Sequence, residues 1–498
     1  MCSTGISSGY ARISNALTVE KDDCMNLARH LAERVTAMRY EDLPPEAVYW
    51  SRIAVLDTIG VALAGSVEAP PRVLEEVLEV QRGSGPSLIL GSNRRVGCLD
   101  AALINGAAAH VLDYDNTASH MGGHVSAVMV PALIAAGDAF GATGRDVLLA
   151  HAAGFEASAR IGRGVNDYHS DKGWHPTTTL GVFAVAAACA RLLNLSVEQT
   201  ETALALSTSL SAGIKANFGT MTKSLHVGQC ARGGLMAVLL ARKGFTANPD
   251  AFEHKQGFLK VFNGAGNYDV APIVESWGTP LDIVVPGASY KQYPCCYSTH
   301  AAIEAALNLV REHGGPFDPA TIARVDSWTH ATRLMHTDRP DPNSALEAKF
   351  SVQYCVTRAL VNGKVLLEHF DENSYRDPTL RALLKQVHAA PYTKELFDAE
   401  DPFDAEVKVT LADGRSFTAH VDRPLGRTSD VPIPPENIRA KFENCAARVL
   451  APRAVAAVTR AIEAFEEVKS VREFTTLLEP TAPGGTGTSR AQERSLAG

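Results

Sequence analysis

The sequence is poor in the features that mark several large functional classes. Its 498 residues contain no block of Lys or Arg, and aromatics make up only 7% with little clustering beside basic residues, so a nucleic-acid surface is not indicated. The formal charge of −8 is modest for this length. There is no Walker loop, no GxGxxG opening a βαβ unit, no HExxH and no CxxC, which removes the sequence basis for nucleotide, zinc and iron–sulfur sites. The nine cysteines are odd in number and scattered singly apart from the adjacent Cys295 and Cys296, as in a chain whose thiols stay reduced. No run reaches the roughly 18 to 20 uninterrupted apolar residues of a membrane span, since SAVMVPALIAAGDAFGA is broken by Pro131, Gly137 and Asp138. The first residues lack a charged-then-apolar signal pattern, and Arg12 is the one basic residue before Glu20. A cytoplasmic chain is expected, with mitochondrial import as the weaker reading.

What is present is a composition, 46% hydrophobic and 20% charged, that suits a soluble protein able to bury a large core. From about residue 24 to 265 the apolar spacing is helical almost throughout, in segments such as AVYWSRIAVLDTIGVALAG, AALINGAAAHVL and GGLMAVLLARKG. Their faces are crowded with Ala, Gly and Ser, which allows close helix approach. Near residue 276 the pattern changes: LDIVVPG, TIARVDSWTH and AEVKVTLADGRSFTAHVD alternate like strands, the last around an Asp413-Gly414 turn. The helical segments STHAAIEAALNLVREHGG and ALEAKFSVQYCVTRALVNG lie among them. The expected fold is therefore mainly α: a helical domain over 20–275, an α+β lid domain over 276–435, and C-terminal helices over 436–478 that rejoin the first domain. The Pro/Gly/Ser/Thr-rich residues 479–498 are expected to be disordered.

Chemistry-bearing side chains cluster in DYDNTASHMGGH, residues 113–124, between two apolar runs. His124, His175, Lys223 and Lys291 each precede a small-residue helical segment. Free N–H groups at a helix start attract anions, so these positions form candidate carboxylate or phosphate cradles. A Ser, Thr or His in such a place is more often a cap, and only the repetition argues for more. His110 and His300 fall on or beside apolar helices and read equally as core histidines. His120 and His124 have an i, i+4 spacing, but Gly122 and Gly123 between them disfavour a helix, and no metal is assigned. What remains is acid–base chemistry by His, Asp, Thr, Lys and Cys.

The segments HVLDYDNTASHMGGHVSAVMVPAL, GWHPTTTLG, ANFGTMTKSLHVGQCARGG, KQYPCCYSTH and LEAKFSVQYC occur in the order and approximate spacing of the MmgE/PrpD family, which the chain resembles over roughly residues 25 to 475. That family includes 2-methylcitrate dehydratase, cis-aconitate decarboxylase and iminodisuccinate epimerase. The resemblance implies a homodimer, a helical domain built from both chain ends, an α+β lid, and a site between them that acts without a cofactor on small di- or tricarboxylates. By motif, Asp113, Thr117, His124, His175, Lys223 and Lys291 are similar to the family's active-site positions. His124, His175, Asp113 and Lys223 are then expected to be catalytic, and Thr117, Lys291, His120, Cys296 and His336 to bind substrate. Lysines and helix starts would supply the field for an enolate-like state, and a histidine would move the proton.

The chain departs from the family pattern with His124-Val125-Ser126 in place of HPS and TKSLH in place of TKPLH. Itaconate-forming vertebrate members carry His where this chain has Cys296, and Tyr near His336. The expectation is therefore a lyase that dehydrates a citrate- or 2-methylcitrate-like hydroxy acid. Cis-aconitate decarboxylation, an epimerase reaction and, from another class, a non-catalytic carboxylate-binding protein are the alternatives.

Overall fold

The computed structural model describes residues 26–79, 84–371, 373–393 and 402–480, and over these the chain is mainly α. Twelve α-helical segments come first: α1 (Leu27–Ala37), α2 (Pro45–Gly65), α3 (Ala69–Glu79), α4 (Cys98–His110), α5 (Val125–Phe140), α6 (Gly144–Asp171), α7 (Pro176–Thr179), α8 (Gly181–Leu192), α9 (Val197–Thr208), α10 (Thr222–Arg242), α11 (Phe258–Asn263) and α12 (Ala271–Val274). Two short antiparallel pairs accompany them, β1 (Ser87–Leu88) with β2 (Arg95–Val96) and β3 (Thr117–Ala118) with β4 (Ala288–Ser289). The small residues of the helices are used where helices cross. A Cβ on Gly228 of α10 would stand 2.2 Å from the Leu103 carbonyl of α4, and one on Gly154 of α6 would stand 2.5 Å from the Ala184 carbonyl of α8. Backbones this close leave no room for a side chain, which is why the Ala/Gly faces are needed.

A second core, from Tyr293 to Leu411, lies between α13 (His300–His313), α16 (Val352–Asn362) and a four-stranded sheet of order β6-β5-β7-β8. Here β5 is Ile322–Thr329, β6 Val387–Pro391, β7 Ala405–Leu411 and β8 Ser416–Val421; β5 and β6 are parallel and the other pairs antiparallel. The same stretch of chain forms α14 (Ala331–Thr337), α15 (Ala345–Lys349) and α17 (Pro378–Leu384). Alternation in β7 is complete, with its odd-numbered residues buried. The Asp413-Gly414 turn joins β7 to β8, with Gly414 at φ +91°. The first core, which begins at Leu27 and runs to Tyr290, resumes at Ile433 and ends at Leu478. Its later part comes from α18 (Pro435–Ala446), α19 (Pro452–Glu463) and α20 (Val471–Thr476). Phe442 of α18 packs on Gly60 of α2, and Val471 of α20 on Gly137 of α5.

Two local expectations change. LDIVVPG is a run of turns, not a strand, because Pro286 lacks an N–H and Gly287 has φ +81°; Leu281 and Ile283 are buried in the first core instead. ALEAKFSVQYCVTRALVNG is two helices, α15 and α16, because the Ser351 hydroxyl accepts from the Tyr354 N–H and starts the second. At 21 residues α2 has the length and composition of a membrane span, but it carries Arg52 and Asp57 and 78% of its apolar window is buried inside the protein, as in a core helix. From residue 481 the tail expected to be disordered lies outside the described residues.

Candidate active site

Helix α4 ends at His110, and the following turn places Asp113 at φ +53°, a left-handed conformation that Asp tolerates better than most residues. This turns its carboxylate towards two lysines. Lys223, in the first turn of α10, reaches Oδ1 at 2.7 Å, and Lys291 reaches Oδ2 at 2.8 Å while also donating to the Asp113 carbonyl. Lys291 is not at a helix start, since α13 begins nine residues later. It is delivered by β4, which pairs with β3. Lys349, at the end of α15, adds a third ammonium that donates to the Leu112 carbonyl at 3.1 Å.

Behind this clamp, Asp115 Oδ2 lies 2.9 Å from Nδ1 of both His110 and His124. The two rings meet edge to face at 4.6 Å, and His124 Nε2 points towards Asp113 Oδ1 at 3.9 Å. His175 lies 6.0 Å from His110 and its Nδ1 is 3.3 Å from Nδ1 of His226. Lys441 of α18 ties the arrangement down from below. Its buried ammonium donates to the carbonyls of Tyr114 and Lys291 at 2.7 and 2.8 Å and pairs with Asp57 of α2 at 2.5 Å.

Burial raises the Asp113 carboxyl, but Lys223 and Lys291 more than reverse this and hold it well below the usual carboxylate range. Burial likewise opposes ionisation of Asp115, and His110 and His124 overcome it. Burial also draws His110 down to about 4, assisted by Lys223 and resisted by Asp115. His110 is then neutral at pH 7, with its Nδ1–H given to Asp115 and its buried Nε2 left without a partner among the described residues. Three lysines against two aspartates leave the centre with surplus positive charge, suited to an anionic ligand.

Beside the clamp a cavity of about 590 Å³ opens, lined by His110, Asp113, Phe218 and Lys223 and by Arg339 and Glu347 of the later chain between α14 and the end of α15. Ligand atoms of His110, Asp113, Asp115 and His124 lie within 4.8 Å of one another, a spacing that suits a cation. The fit is poor, because both oxygens of Asp113 are already held by ammonium groups that would repel a metal ion.

Of the residues expected from sequence, Asp113, His124, Lys223 and Lys291 converge here. His175 stands one ring further out, and buried Cys296 donates its N–H to the Lys349 carbonyl at 2.9 Å. Thr117 has its backbone in β3, paired with Ser289. His120 lies elsewhere, its Nδ1 2.5 Å from Asp282, which also takes Arg163 at 2.8 Å. His336 contacts Ser298 at 3.0 Å. Gly123 serves packing, because a Cβ there would meet the Thr177 N at 2.5 Å. Asp115, Lys349, Lys441 and Arg339 are not among the expected residues. Asp115 has a signal in its position within DYDN and Lys349 in its position within LEAKFSVQYC, whereas Lys441 sits in ordinary helical sequence.

Acid should undo this centre. His110, His169 and His369 are lowered to about 4 and His151 to about 3, all chiefly by burial. Between pH 6.5 and 4 the unfolded chain binds protons that the folded chain refuses, so stability falls as pH falls through that window. His110 alone accounts for roughly 3 kcal/mol of the loss. Urea midpoints taken from pH 7 to 4 should therefore drop, and His110→Gln should flatten the slope; an unchanged slope would count against a neutral buried His110.

A mainly helical chain with two cores, in which a carboxylate held by lysines stands in front of paired imidazoles and beside a small cavity, has the equipment for acid–base chemistry on a small polyanion. Residues 29–271 match the MmgE/PrpD N-terminal domain and residues 293–467 the MmgE/PrpD C-terminal domain, and the chain belongs to the MmgE/PrpD family. It is similar to cis-aconitate decarboxylase of Homo sapiens, with 27% identity over 472 residues covering 92% of this chain and 95% of that protein. It is also similar to cis-aconitate decarboxylase of Aspergillus terreus, 27% identical over 436 residues covering 82% and 87%.

Proposed function

We propose that this chain is a cofactor-independent carboxy-lyase acting on an unsaturated tricarboxylate of the cis-aconitate class. The observation that carries the reading is the Lys223–Asp113–Lys291 clamp, with its surplus positive charge, beside the imidazoles on Asp115. The relatives' names move the preference from dehydration to decarboxylation. In cis-aconitate, the bond between the methylene carbon and its carboxylate breaks and CO2 leaves. The freed pair forms the new terminal double bond, and the pair of the old double bond takes one proton at the far carbon. Charge builds beside carboxylates that are already negative, so fixed ammonium groups stabilise the transition state more than the ground state. His124 supplies the proton, its Nδ1 edge held by Asp115 so that Nε2 faces the clamp.

Dehydration is the second reading, favoured by Cys296. It stands where itaconate-forming vertebrate members carry His, and its buried thiol is pushed up by burial. Proton NMR in deuterated water decides between them. Cis-aconitate should give two vinylidene protons and a methylene carrying one deuteron. An alkene from citrate or 2-methylcitrate with cis-aconitate left intact would assign dehydration instead, and no turnover of any of the three would sink both readings.

A further inference from the structure

Arg339 belongs to the part of the cavity wall that comes from the stretch between α14 and the end of α15, itself lying on the segment between those two helices. Its backbone is pinned. The N–H donates to Gln353 Oε1 at 3.2 Å and the carbonyl accepts from the Ser351 hydroxyl at 2.6 Å, and both of those side chains are buried at the start of α16. Neighbouring Asp338 is held in turn by Gln353 Nε2 at 2.6 Å, and Pro340 and Pro342 stiffen the chain on the other side of Arg339. The guanidinium is treated differently. Its one hydrogen bond is long, from Nε to the His336 carbonyl at 3.4 Å, and it has no carboxylate partner among the described residues. Arg324 and Arg381 of the same region are paired, with Asp326 and Asp341. Glu347, the acid on this wall, is occupied by the Asn343 N–H at 2.7 Å. A fixed backbone that presents an uncommitted planar cation to a cavity is the arrangement that takes a carboxylate in a two-pronged grip.

We propose that Arg339 is a specificity residue that receives a carboxylate of the substrate remote from the clamp, so that the site prefers three carboxylates to two. The inference rests on the polycarboxylate reading above and deepens it. Lys223 and Lys291 hold the end where bonds change, and Arg339 measures the length and charge of the other end.

The test uses two unreactive probes, propane-1,2,3-tricarboxylate and methylsuccinate, which lacks one terminal carboxylate of the first. Calorimetric titration of the full chain should show the tricarboxylate bound about 10- to 100-fold more tightly, the range of a charge-assisted hydrogen bond. Arg339→Gln should abolish that preference while leaving methylsuccinate within about twofold. Arg339→Lys should restore part of the preference. Lys223→Gln should weaken both probes together. Equal weakening of both probes in Arg339→Gln, or no change in either, would overturn the role of Arg339 alone. Binding of neither probe by the unaltered chain would overturn the polycarboxylate reading itself.

Discussion

Asp113→Asn should cost the protein most of its activity and a measurable share of its stability, for one reason. Asparagine adopts the left-handed conformation at φ +53° as readily as aspartate, so the turn after α4 survives and the substitution isolates the charge. Two ammonium groups then face each other without their shared carboxylate. Lys291 is the more exposed to this loss in energetic terms, because its side chain is only 5% accessible and its ammonium is held in place against burial chiefly by Asp113. Removing one partner of a buried pair costs about 3 to 5 kcal/mol. Lys223, whose side chain is 21% accessible, can turn to water and adds less. Turnover should fall by roughly 10²- to 10³-fold, the scale of losing a fixed electrostatic element of a site. The double variant Asp113→Asn/Lys291→Met separates the two effects: it should regain much of the stability, because the buried ammonium that lost its carboxylate is gone, and none of the activity. Urea unfolding and turnover of cis-aconitate measure them side by side. A single variant with unaltered midpoint and rate would show that the clamp is not a working part.

The same centre shows which parts of the molecule were legible in the sequence. Asp113, His124 and Lys223 stand in polar segments between apolar helical runs, where their residue types are out of place, and all three converge. His120 belongs to the same polar segment, but its direction is decided by Asp282, 162 residues away and already gathered by Arg163 from α6. No local spacing carries that information. Lys291 is expected at a helix start and is instead brought in by two residues of β pairing with Thr117–Ala118, an element too short for alternation to reveal. Lys441 looks like any lysine of an amphipathic helix. It is buried because α18 packs on α2, where Asp57 meets its ammonium, and the carbonyls of Tyr114 and Lys291 accept from it as well. The helical class itself is readable because Ala, Gly and Ser at helical spacing have few other uses in a large core.

Those small residues lead to a large stability effect expected outside the charged centre. On α10, Gly228 faces α4 so closely that a Cβ would stand 2.2 Å from the Leu103 carbonyl oxygen and 3.2 Å from the Ala107 N. Both are backbone atoms of a helix and cannot move aside singly, so Gly228→Ala must push the two helices apart. Alanine ordinarily favours a helix over glycine by about 1 kcal/mol, but overpacking against fixed backbone costs about 1 to 3 kcal/mol or more, so the sum is destabilising. Gly233 on the same helix is the control. A Cβ there would meet Leu210 Cβ at 3.8 Å, an ordinary contact, so Gly233→Ala should be neutral or stabilising by up to about 1 kcal/mol. The effect on function comes from the residues that the two helices carry. His110 ends α4, Asp113 lies three residues beyond it, and Lys223 stands one turn and a half before Gly228, so separating the helices at this crossing lengthens the 2.7 Å contact between Lys223 and Asp113. Gly228→Ala should therefore lose activity at temperatures where it is still folded, whereas Gly233→Ala should not. Thermal unfolding and turnover of the two variants, compared at a temperature well below both transitions, test the claim; equal behaviour of the pair would mean that the close crossing of α4 and α10 does not set the geometry of the site.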